Sequence, residues 1–523
     1  MTTSRLNRLW GWPGPQLRGL WSSLTSERGI RILTIAVLIF GAALRLNRFL
    51  FNRSLFIDEA HVAANLVGRQ LAEITQPLSD FQVAPVGWLL LVKLAISGFG
   101  NSEMALRLVP LLSGLASLVL VYPLSKRYLT PPGSLVCCLL LATTDPAIRW
   151  SVMAKPYSMD LLVAIIILLI AARTEWRGLS ASSVGYWAAL GSLAIWFSFP
   201  AAFVLAGVGL YALQSYLAPR GSKRLIPLVA VFSTWLLSFI ILYEVTLRGM
   251  LEVDYLYEFW SSSFASLPAA NPQAIDAVLA TMNDTFRDPV GVLVEGGGAA
   301  LYLLGLVALS IRIPQAVVLL IGPILITYFV SAAGIYPFSD RLLLFSVPTF
   351  HLIIAAGVEQ VSRGVARLGW VPLIALVCLL LYSPVRLGVS RGVHPRGYEE
   401  MRPVTEYVLN ELRPEDGIYI YYGAAAPWRY YLERYGAADT QYDLGTMSRE
   451  NPDVYREEIS RYQGRERVWV VFSHVYRGAA GSEQTIILSE LACLGVEIQS
   501  FEAPDARAFL YDLSEPSGNC GIK

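Results

Sequence analysis

Residues 161–172, with the sequence LLVAIIILLIAA, contain no charged side chain and none that can form a hydrogen bond. Uncharged runs also cover residues 32–43 and 373–381, each inside a longer apolar segment. A helix needs roughly 20 predominantly apolar residues to cross a bilayer, and it must satisfy its backbone hydrogen bonds internally. These segments therefore predict several membrane-spanning helices.

The composition of the whole chain agrees with this prediction. Of its 523 residues, 54% are hydrophobic and only 15% are charged, whereas soluble proteins carry about 25% charged residues. The net charge is +1, and no cluster of lysine and arginine is interleaved with aromatic residues. Since nucleic acids are strongly negative, this charge balance argues against a nucleic-acid partner. We predict a polytopic α-helical membrane protein.

The apolar segments set the number of spans. They are residues 30–50, 83–99, 104–124, 133–148, 157–173, 185–217, 225–245, 297–313, 314–334, 341–362 and 369–387. The segment 185–217 has Phe199-Pro200 in its middle, so it predicts two short helices joined by a tight turn. If every segment crosses the membrane, the chain has twelve spans and both termini lie on one side.

The basic connections decide between twelve spans and eleven, because connections rich in lysine and arginine stay in the cytoplasm. These connections are the leader before residue 32, Lys126-Arg127, 173–177, 220–224, Arg312 and 363–367. All of them are cytoplasmic only if residues 83–99 lie along the membrane surface, which Pro85, Gly87 and Lys93 favour. We therefore predict about eleven spans, a cytoplasmic N-terminus with a retained signal anchor, and an external C-terminus.

The same arrangement places acidic segments outside the membrane, in loops 51–103, 145–156 and 246–296 and in a short turn near 336–341. Charge near a membrane is costly, so its concentration on one face indicates function. We expect domains at 1–390, which spans the membrane, and at 394–523, which is soluble and external.

The C-terminal segment is charged and aromatic, and its patterns predict a soluble α/β domain. Helical patterns alternate there with strand patterns; the helical ones cover 404–412, 427–435 and 483–491, and the strand ones cover 418–422, 468–472 and 508–511. No glycine-rich phosphate loop is present. Cys493 and Cys520 are able to pair if this domain faces an oxidising compartment. No cofactor is indicated, and no Cys/His cluster has the spacing of a metal site.

Asp58 and Glu59 are adjacent carboxylates just beyond the first apolar segment, in the sequence LFIDEAH. Apolar neighbours at the membrane face are expected to perturb their pKa values, and one of them is a candidate base for an acceptor hydroxyl. The alternative is that both cap a helix at the membrane surface. His61 follows one helical turn after Asp58, either as a proton relay or as a packed interfacial residue.

Two further stretches accompany this pair: residues 82–87 (QVAPVG) and residues 100–108 (GNSEMALRL). In this order the three motifs resemble the GT-C superfamily of glycosyltransferases, which use polyprenyl- or dolichyl-phosphate sugars. The chain is most similar to the protein O-mannosyltransferases and the bacterial aminoarabinose and Rgt-type transferases. The resemblance covers about residues 30–390. Ala84-Pro85 stands where the protein mannosyltransferases have His-Pro-Pro, which argues against protein O-mannosylation.

The resemblance implies inverting transfer of a sugar from a polyprenyl-phosphate donor to a glycan, lipid or protein acceptor, at the external face of a membrane that we expect to be a bacterial plasma membrane. It implies that Asp58 is the catalytic residue and that Glu59 orients it or contacts the acceptor. A leaving phosphate requires fixed positive charge, and the candidate cations are Arg341, Lys155 and Arg107. The resemblance adds Tyr157, since Lys155-Pro156-Tyr157 matches the position where related enzymes carry a basic residue and a tyrosine near the lipid phosphate. Asp145 and Asp340 join His61 as accessory positions. The alternative for the cations is contact with lipid headgroups.

Two other functions remain open from the sequence. A transporter or flippase of a lipid-linked sugar would place ionisable groups near the bilayer midplane and show internal repeats, and the sequence shows no repeat. A glycan ligase or polymerase would use the same donor and differ only in its acceptor.

Overall fold

The computed structural model describes residues 26–217, 225–248, 258–267, 272–292, 297–365, 382, 385–449, 451–478 and 481–517. The helices of the N-terminal part are α1 (Glu27–Phe51), α2 (Ile57–Val67), α3 (Val86–Phe99), α4 (Glu103–Ser125), α5 (Pro131–Thr143), α6 (Asp145–Trp150), α7 (Tyr157–Ala171), α8 (Ala181–Phe197), α9 (Ala201–Leu217), α10 (Ile226–Leu242), α11 (Pro272–Arg287), α12 (Gly297–Arg312), α13 (Pro314–Ala332) and α14 (Val347–Val365).

Within the described residues, five helical segments are long and apolar enough to cross a membrane. They are α1, α4, Ile226–Leu247, α13 and Asp340–Val365. Shorter apolar helices accompany them, namely α3, α5, α7, α9 and α12. The apolar window of Asp340–Val365 is 94% buried, whereas that of α1 is only 28% buried. The chain is therefore a multi-pass membrane protein with Asp340–Val365 at its centre and α1 at its periphery.

The helix boundaries agree with one detail of the sequence analysis: the segment 185–217 forms two helices, α8 and α9, which are separated at residues 198–200. The segment 83–99 forms a helix of 14 residues after Pro85, about as long as α5, which has 13 and lies in a segment predicted to span. The placement of 83–99 along the membrane surface stays a prediction. The predicted total of eleven spans stays a prediction, because most of the segment 369–387 lies outside the described residues.

The C-terminal part is an α/β domain built on a five-stranded sheet with the order β2-β1-β3-β7-β6. Its elements are α15 (Met401–Glu411), β1 (Gly417–Ile420), α16 (Ala425–Arg434), β2 (Asp443–Leu444), α17 (Asp453–Ser460), β3 (Val468–Ser473), β4 (Arg477–Gly478), β5 (Gly481–Ser482), α18 (Glu483–Leu494), β6 (Val496–Ala503) and β7 (Ala506–Asp512). β1 is parallel to β2 and β3, whereas β7 is antiparallel to β3 and β6.

Alternate residues of the central strands belong to two different cores, because successive side chains of a strand point to opposite faces. Ile418 and Trp469 join the core that is continuous with the membrane part, together with Val404 of α15. Tyr419 and Val470 join a second core with residues of α17 and α18. Both faces of the sheet are thus covered, and one face connects the domain to the membrane helices.

The predicted strands and helices of this domain all form, but the sequence analysis missed α17, β6 and the two-residue strands β2, β4 and β5. β6 is an edge strand with mostly exposed or half-buried residues. Its polar side chains, such as Glu497 and Glu502, are typical of an edge strand and conceal the apolar alternation on which strand prediction depends. Cys520 lies outside the described residues, so its pairing with Cys493 stays a prediction.

Candidate active site

The site begins at the sharp turn between α1 and α2. α1 ends at Asn52, whose backbone has a φ of 47° in the left-handed region, a conformation that asparagine tolerates better than most residues. The chain then runs through residues 53–56 without regular structure and enters α2 at Ile57. Asp58 and Glu59 are thus in the first turn of α2. Adjacent helical positions differ by about 100° in direction, so the two carboxylates face different surroundings.

Glu59 is fully buried and both of its carboxylate oxygens accept hydrogen bonds. Its Oε1 accepts from Arg107 Nε at 2.9 Å and from the amide of Ala154 at 2.7 Å. Its Oε2 accepts from Arg53 at 2.5 Å and from the amide of Phe56 at 3.1 Å. Burial raises the pKa of Glu59, but the charges of Arg107 and Arg53 outweigh burial and lower it to about 2. Ionised Glu59 therefore connects the turn, through Arg53, to Arg107 of α4 and to the backbone of Ala154.

Arg107 uses all three nitrogens of its guanidinium in hydrogen bonds within the protein. It is buried, and besides Glu59 it donates to the backbone oxygens of Arg53 at 2.7 Å and Ser54 at 2.9 Å. Its Nε and both terminal nitrogens therefore have protein partners. Arg107 thus fastens the turn before Asp58, and its role as a phosphate ligand stays a prediction, as do those of Arg341 and Lys155.

Asp58 faces the open side of the turn. Its side chain is 29% exposed, and its Oδ2 lies 3.6 Å from a terminal nitrogen of Arg341. Arg341 lies in the 3₁₀ turn Asp340–Ser346 that leads into α14. Arg341, which precedes the buried helix α14, thus lies directly beside the carboxylate of Asp58 in α2.

Aromatic rings surround the guanidinium of Arg341. Its centre lies 5.4 Å from the ring of Trp260, 5.9 Å from Trp150 and 6.0 Å from Tyr157. The Nε of Arg341 is buried and has no hydrogen-bond partner among the described residues. Aromatic faces hold a guanidinium in place without using its N–H groups. One side-chain hydrogen bond joins Arg341 to Tyr157, and its Nε is left as a donor for an anion.

Lys155 lies in the same region, between α6 and α7. It is buried, and its Nζ donates to Gln82 Oε1 at 2.8 Å. Burial lowers its pKa, whereas the charge of Asp58 raises it. Tyr157 begins α7 and packs edge-on against Trp150, with ring centroids 4.7 Å apart. Gln82, which belongs to the second sequence motif, thus contacts one of the predicted phosphate ligands.

Arg149 contacts two acidic residues, Asp340, which the sequence analysis named as an accessory position, and Asp288, which it missed. Arg149 is 2.9 Å from Asp288 and 3.7 Å from Asp340. Burial, followed by the charge of Asp340, raises the pKa of Asp288 to about 7. A cavity of about 240 Å³ opens here; its lining includes Ser262, Ser263, Thr281, Asp284, Thr285, Asp288, Ser339 and Asp340. Hydroxyl and carboxylate groups of this kind are suited to bind sugar hydroxyls.

The two remaining accessory positions have structural partners. His61 Nδ1 lies 3.3 Å from Asp80, which also accepts from Arg429 at 2.8 Å. Asp145 is buried and accepts from Arg391 at 2.7 Å, with Arg48 at 3.4 Å. Neither pair contributes a contact to Asp58 or Arg341 in the described part of the chain.

The C-terminal domain reaches the site through contacts of acidic residues that the sequence analysis did not predict. Glu103, in the third motif, is fully buried and pairs with Arg402 at 3.1 Å and with Arg434. Glu399 and Glu400 accept hydrogen bonds from the backbone of the turn before Asp58. These contacts join residues about 300 positions apart, so no local sequence pattern predicts them.

Comparison with known proteins gives no matching family model and no matching curated protein. Among solved structures, ArnT from Cupriavidus metallidurans bound to undecaprenyl phosphate is similar, with a TM-score of 0.53 and 12% identity over 92% of this chain and 98% of that one. Its apo state gives a TM-score of 0.52 and 12% identity over 93% and 98%. An oligosaccharyltransferase from Archaeoglobus fulgidus is more distant, with a TM-score of 0.48 and 11% identity over 85% and 72%. The similarity to ArnT shows that this chain shares the fold of ArnT.

Proposed function

We propose that this chain is a membrane glycosyltransferase that moves a sugar from a polyprenyl-phosphate donor to an acceptor hydroxyl or amine. The observation that carries the proposal is the pair formed by Asp58 and Arg341 on the open side of the turn, 3.6 Å apart. One group is a base and the other an anion ligand, which are the two parts that displacement at an anomeric carbon requires. The fold adds support, because ArnT of the same fold has been solved with undecaprenyl phosphate.

In the proposed reaction Asp58 accepts the proton of the acceptor nucleophile, whose oxygen or nitrogen attacks the anomeric carbon. The bond between that carbon and the phosphate oxygen breaks, its electron pair stays on the phosphate, and the anomeric configuration inverts. Arg341 and Lys155 stabilise the negative charge that develops on the leaving phosphate, and the Tyr157 hydroxyl is placed to donate to it. Glu59, Arg107 and Arg53 hold the turn that aims Asp58.

The cavity beside Arg341 suits the sugar itself. Asp288 and Asp340 each have a buried oxygen without a hydrogen-bond partner among the described residues, and both line the cavity. A sugar hydroxyl would satisfy them. We assign residues 1–390 to the catalytic membrane domain and residues 394–523 to an extracytoplasmic domain that covers the acceptor side.

The reaction is tested with purified protein in nanodiscs that contain a polyprenyl-phosphate sugar and a candidate acceptor. Glycosylated product together with free polyprenyl phosphate, measured by mass spectrometry, supports the proposal. A transporter would move the lipid-linked sugar across a vesicle membrane with no release of polyprenyl phosphate, and that result would contradict it.

Removal of Arg341 tests the proposed phosphate contact. Arg341→Ala should weaken donor binding and slow transfer together, by about 10- to 100-fold in kcat/KM, because hydrogen bonds to charged groups contribute about 1.5–3 kcal/mol. Steady-state kinetics against donor concentration measures both effects. Arg341→Lys should recover part of the loss, and Arg413→Ala on the exposed surface is the matched control. An unchanged KM and kcat for Arg341→Ala would remove this residue from the donor site.

The proposed orientation makes a separate prediction about accessibility. In a background without native cysteines, Arg127→Cys should react with a membrane-impermeant maleimide only after the membrane is opened, whereas Glu415→Cys should react in intact cells. Both side chains are exposed in the structure, so burial does not limit labelling. Reaction of both positions from the same side would rule out the proposed topology.

A further inference from the structure

The turn that carries Asp58 is held through its backbone by side chains, most of them from the C-terminal domain. Four consecutive amides, from Ser54 to Ile57, donate to side-chain oxygens at 2.9–3.1 Å. The amide of Ser54 donates to Glu400 and that of Leu55 to Tyr431. The amide of Phe56 donates to Glu59 and that of Ile57 to Glu399. Three of the four acceptors lie more than 340 residues after the turn. A domain distant in sequence therefore fixes the backbone next to Asp58.

The contact of Glu399 is the one nearest to Asp58. Its Oε2 accepts from the amide of Ile57 at 2.9 Å, and Ile57 is the first residue of α2. The amides of a first helical turn have no partners within the helix, and Phe56, which precedes α2, has no side-chain oxygen to cap them. Glu399 thus supplies from another domain the cap that α2 lacks, and its charge complements the helix dipole.

His474 holds Glu399 in this position. Its Nδ1 lies 2.6 Å from Glu399 Oε1, so one carboxylate bridges the C-terminal domain and α2. Glu399 and His474 have backbone φ values of 52° and 49°, both in the left-handed region. Strained residues persist only where their surroundings determine them, and they concentrate at functional sites. Two strained residues that meet in one ion pair mark this pair as a candidate functional contact.

Phe56 completes the connection by packing between two rings of the C-terminal domain. Its ring lies edge-on to Tyr398, with centroids 5.6 Å apart, and edge-on to His474 at 5.9 Å. The charged groups that act on His474 come from three elements: Glu399, Asp58 of α2 and Arg449. The hydrogen bond to Glu399 is the largest influence and raises the pKa of His474, as does the charge of Asp58, whereas Arg449 lowers it.

We infer that Glu399 and His474 are positioning residues through which the C-terminal domain aims Asp58, and that the protonation of His474 tunes this positioning. The inference rests on the proposed catalytic role of Asp58. Since pairing favours the protonated imidazole, the ion pair is complete below the pKa of His474 and is lost as the pH rises through it. Transfer should therefore decline on the alkaline side as the cap of α2 loosens.

The test uses the full chain in nanodiscs with two variants. Glu399→Gln retains an oxygen for Ile57 but removes the charge that pairs with His474, and His474→Asn retains a donor but does not titrate. Both should lower kcat about ten-fold with the donor KM unchanged, because small misplacement of a catalytic group reduces the rate without affecting binding. His474→Asn should also displace the alkaline limb of the kcat–pH profile. Glu502→Gln, in the same domain, is the matched control.

Hydrogen exchange of the peptide that covers residues 54–58 gives a readout without substrate, and it should become faster in Glu399→Gln. Wild-type exchange and an unshifted pH profile in both variants, with Asp58→Asn inactive, would overturn the inference and leave the proposed function intact. Near-normal turnover of Asp58→Asn would overturn the proposed function, and the catalytic part of the inference with it.

Discussion

Replacement of Asp58 by Asn should reduce sugar transfer by roughly 10²–10⁴-fold, the usual contribution of a general base. Asparagine preserves the size and polarity of the side chain but does not accept a proton at neutral pH. Donor binding should change little, because the proposed phosphate contacts come from Arg341 and Lys155. Single-turnover kinetics in nanodiscs, with donor affinity measured separately, distinguishes loss of chemistry from loss of binding.

Asp58 is partly exposed, and among the described residues it has no network of buried hydrogen bonds like the one around Glu59, so Asp58→Asn should unfold at the wild-type temperature. Asp453→Asn, on the exposed surface of α17, is the matched control for a single lost carboxylate. Should Asp58→Asn retain near-normal turnover, the assignment of the base is wrong. Asp340 and Asp288 would then be examined next, because Glu59 is occupied on both oxygens.

The sequence motifs contain the residues of the candidate site, but they did not predict which of these residues are buried in ion pairs and which are open to a ligand. Asp58 and Glu59 are adjacent and have the same chemistry, so composition and spacing treat them alike. They differ only because α2 rotates successive side chains by about 100°, which turns Glu59 to Arg107 and leaves Asp58 beside Arg341. The same rotation makes Arg107, which was predicted as a phosphate ligand, a partner of Glu59 in this structure.

Contacts between distant parts of the chain were not predictable from local patterns. Glu399 and Tyr431 contact the turn before Asp58 across more than 340 residues, and a sequence window records neither. Asp288 similarly reaches Arg149 from the loop 246–296, which the sequence analysis expects outside the membrane. Its only signal in the sequence was its position in that acidic loop. Contacts between residues so far apart in sequence are identified only from the tertiary structure, because the fold brings these residues together.

The membrane helices were more predictable, because bilayer thickness sets both the length and the polarity of a span. Hydropathy located α1, α4 and α13 within a few residues, and a proline divided the segment 185–217 where α8 and α9 separate. The soluble domain was predicted less completely. There the edge strand β6 has an exposed, polar pattern that differs little from a loop.

Glu59→Gln should have the opposite effect from Asp58→Asn, with a loss of stability of about 3–5 kcal/mol, the usual cost of breaking a buried ion pair on one side. Glutamine retains hydrogen-bonding capacity, but it leaves the buried charges of Arg107 and Arg53 without compensation. Because its folded pKa is lowered to about 2, Glu59 contributes fully above its unfolded value, about 4.3, and the contribution is lost only as the pH falls towards 2.

Thermal unfolding of purified protein in detergent measures this difference between neighbouring carboxylates. Glu59→Gln should lower the unfolding temperature by several degrees and reduce the yield of folded protein, and Asp58→Asn serves as its matched control. Arg107→Met combined with Glu59→Gln should recover part of the stability, because one buried charge is removed with its partner. A wild-type unfolding temperature for Glu59→Gln would show that the ion pair does not hold the turn. Asp58 would then owe its position to the contacts of the C-terminal domain alone.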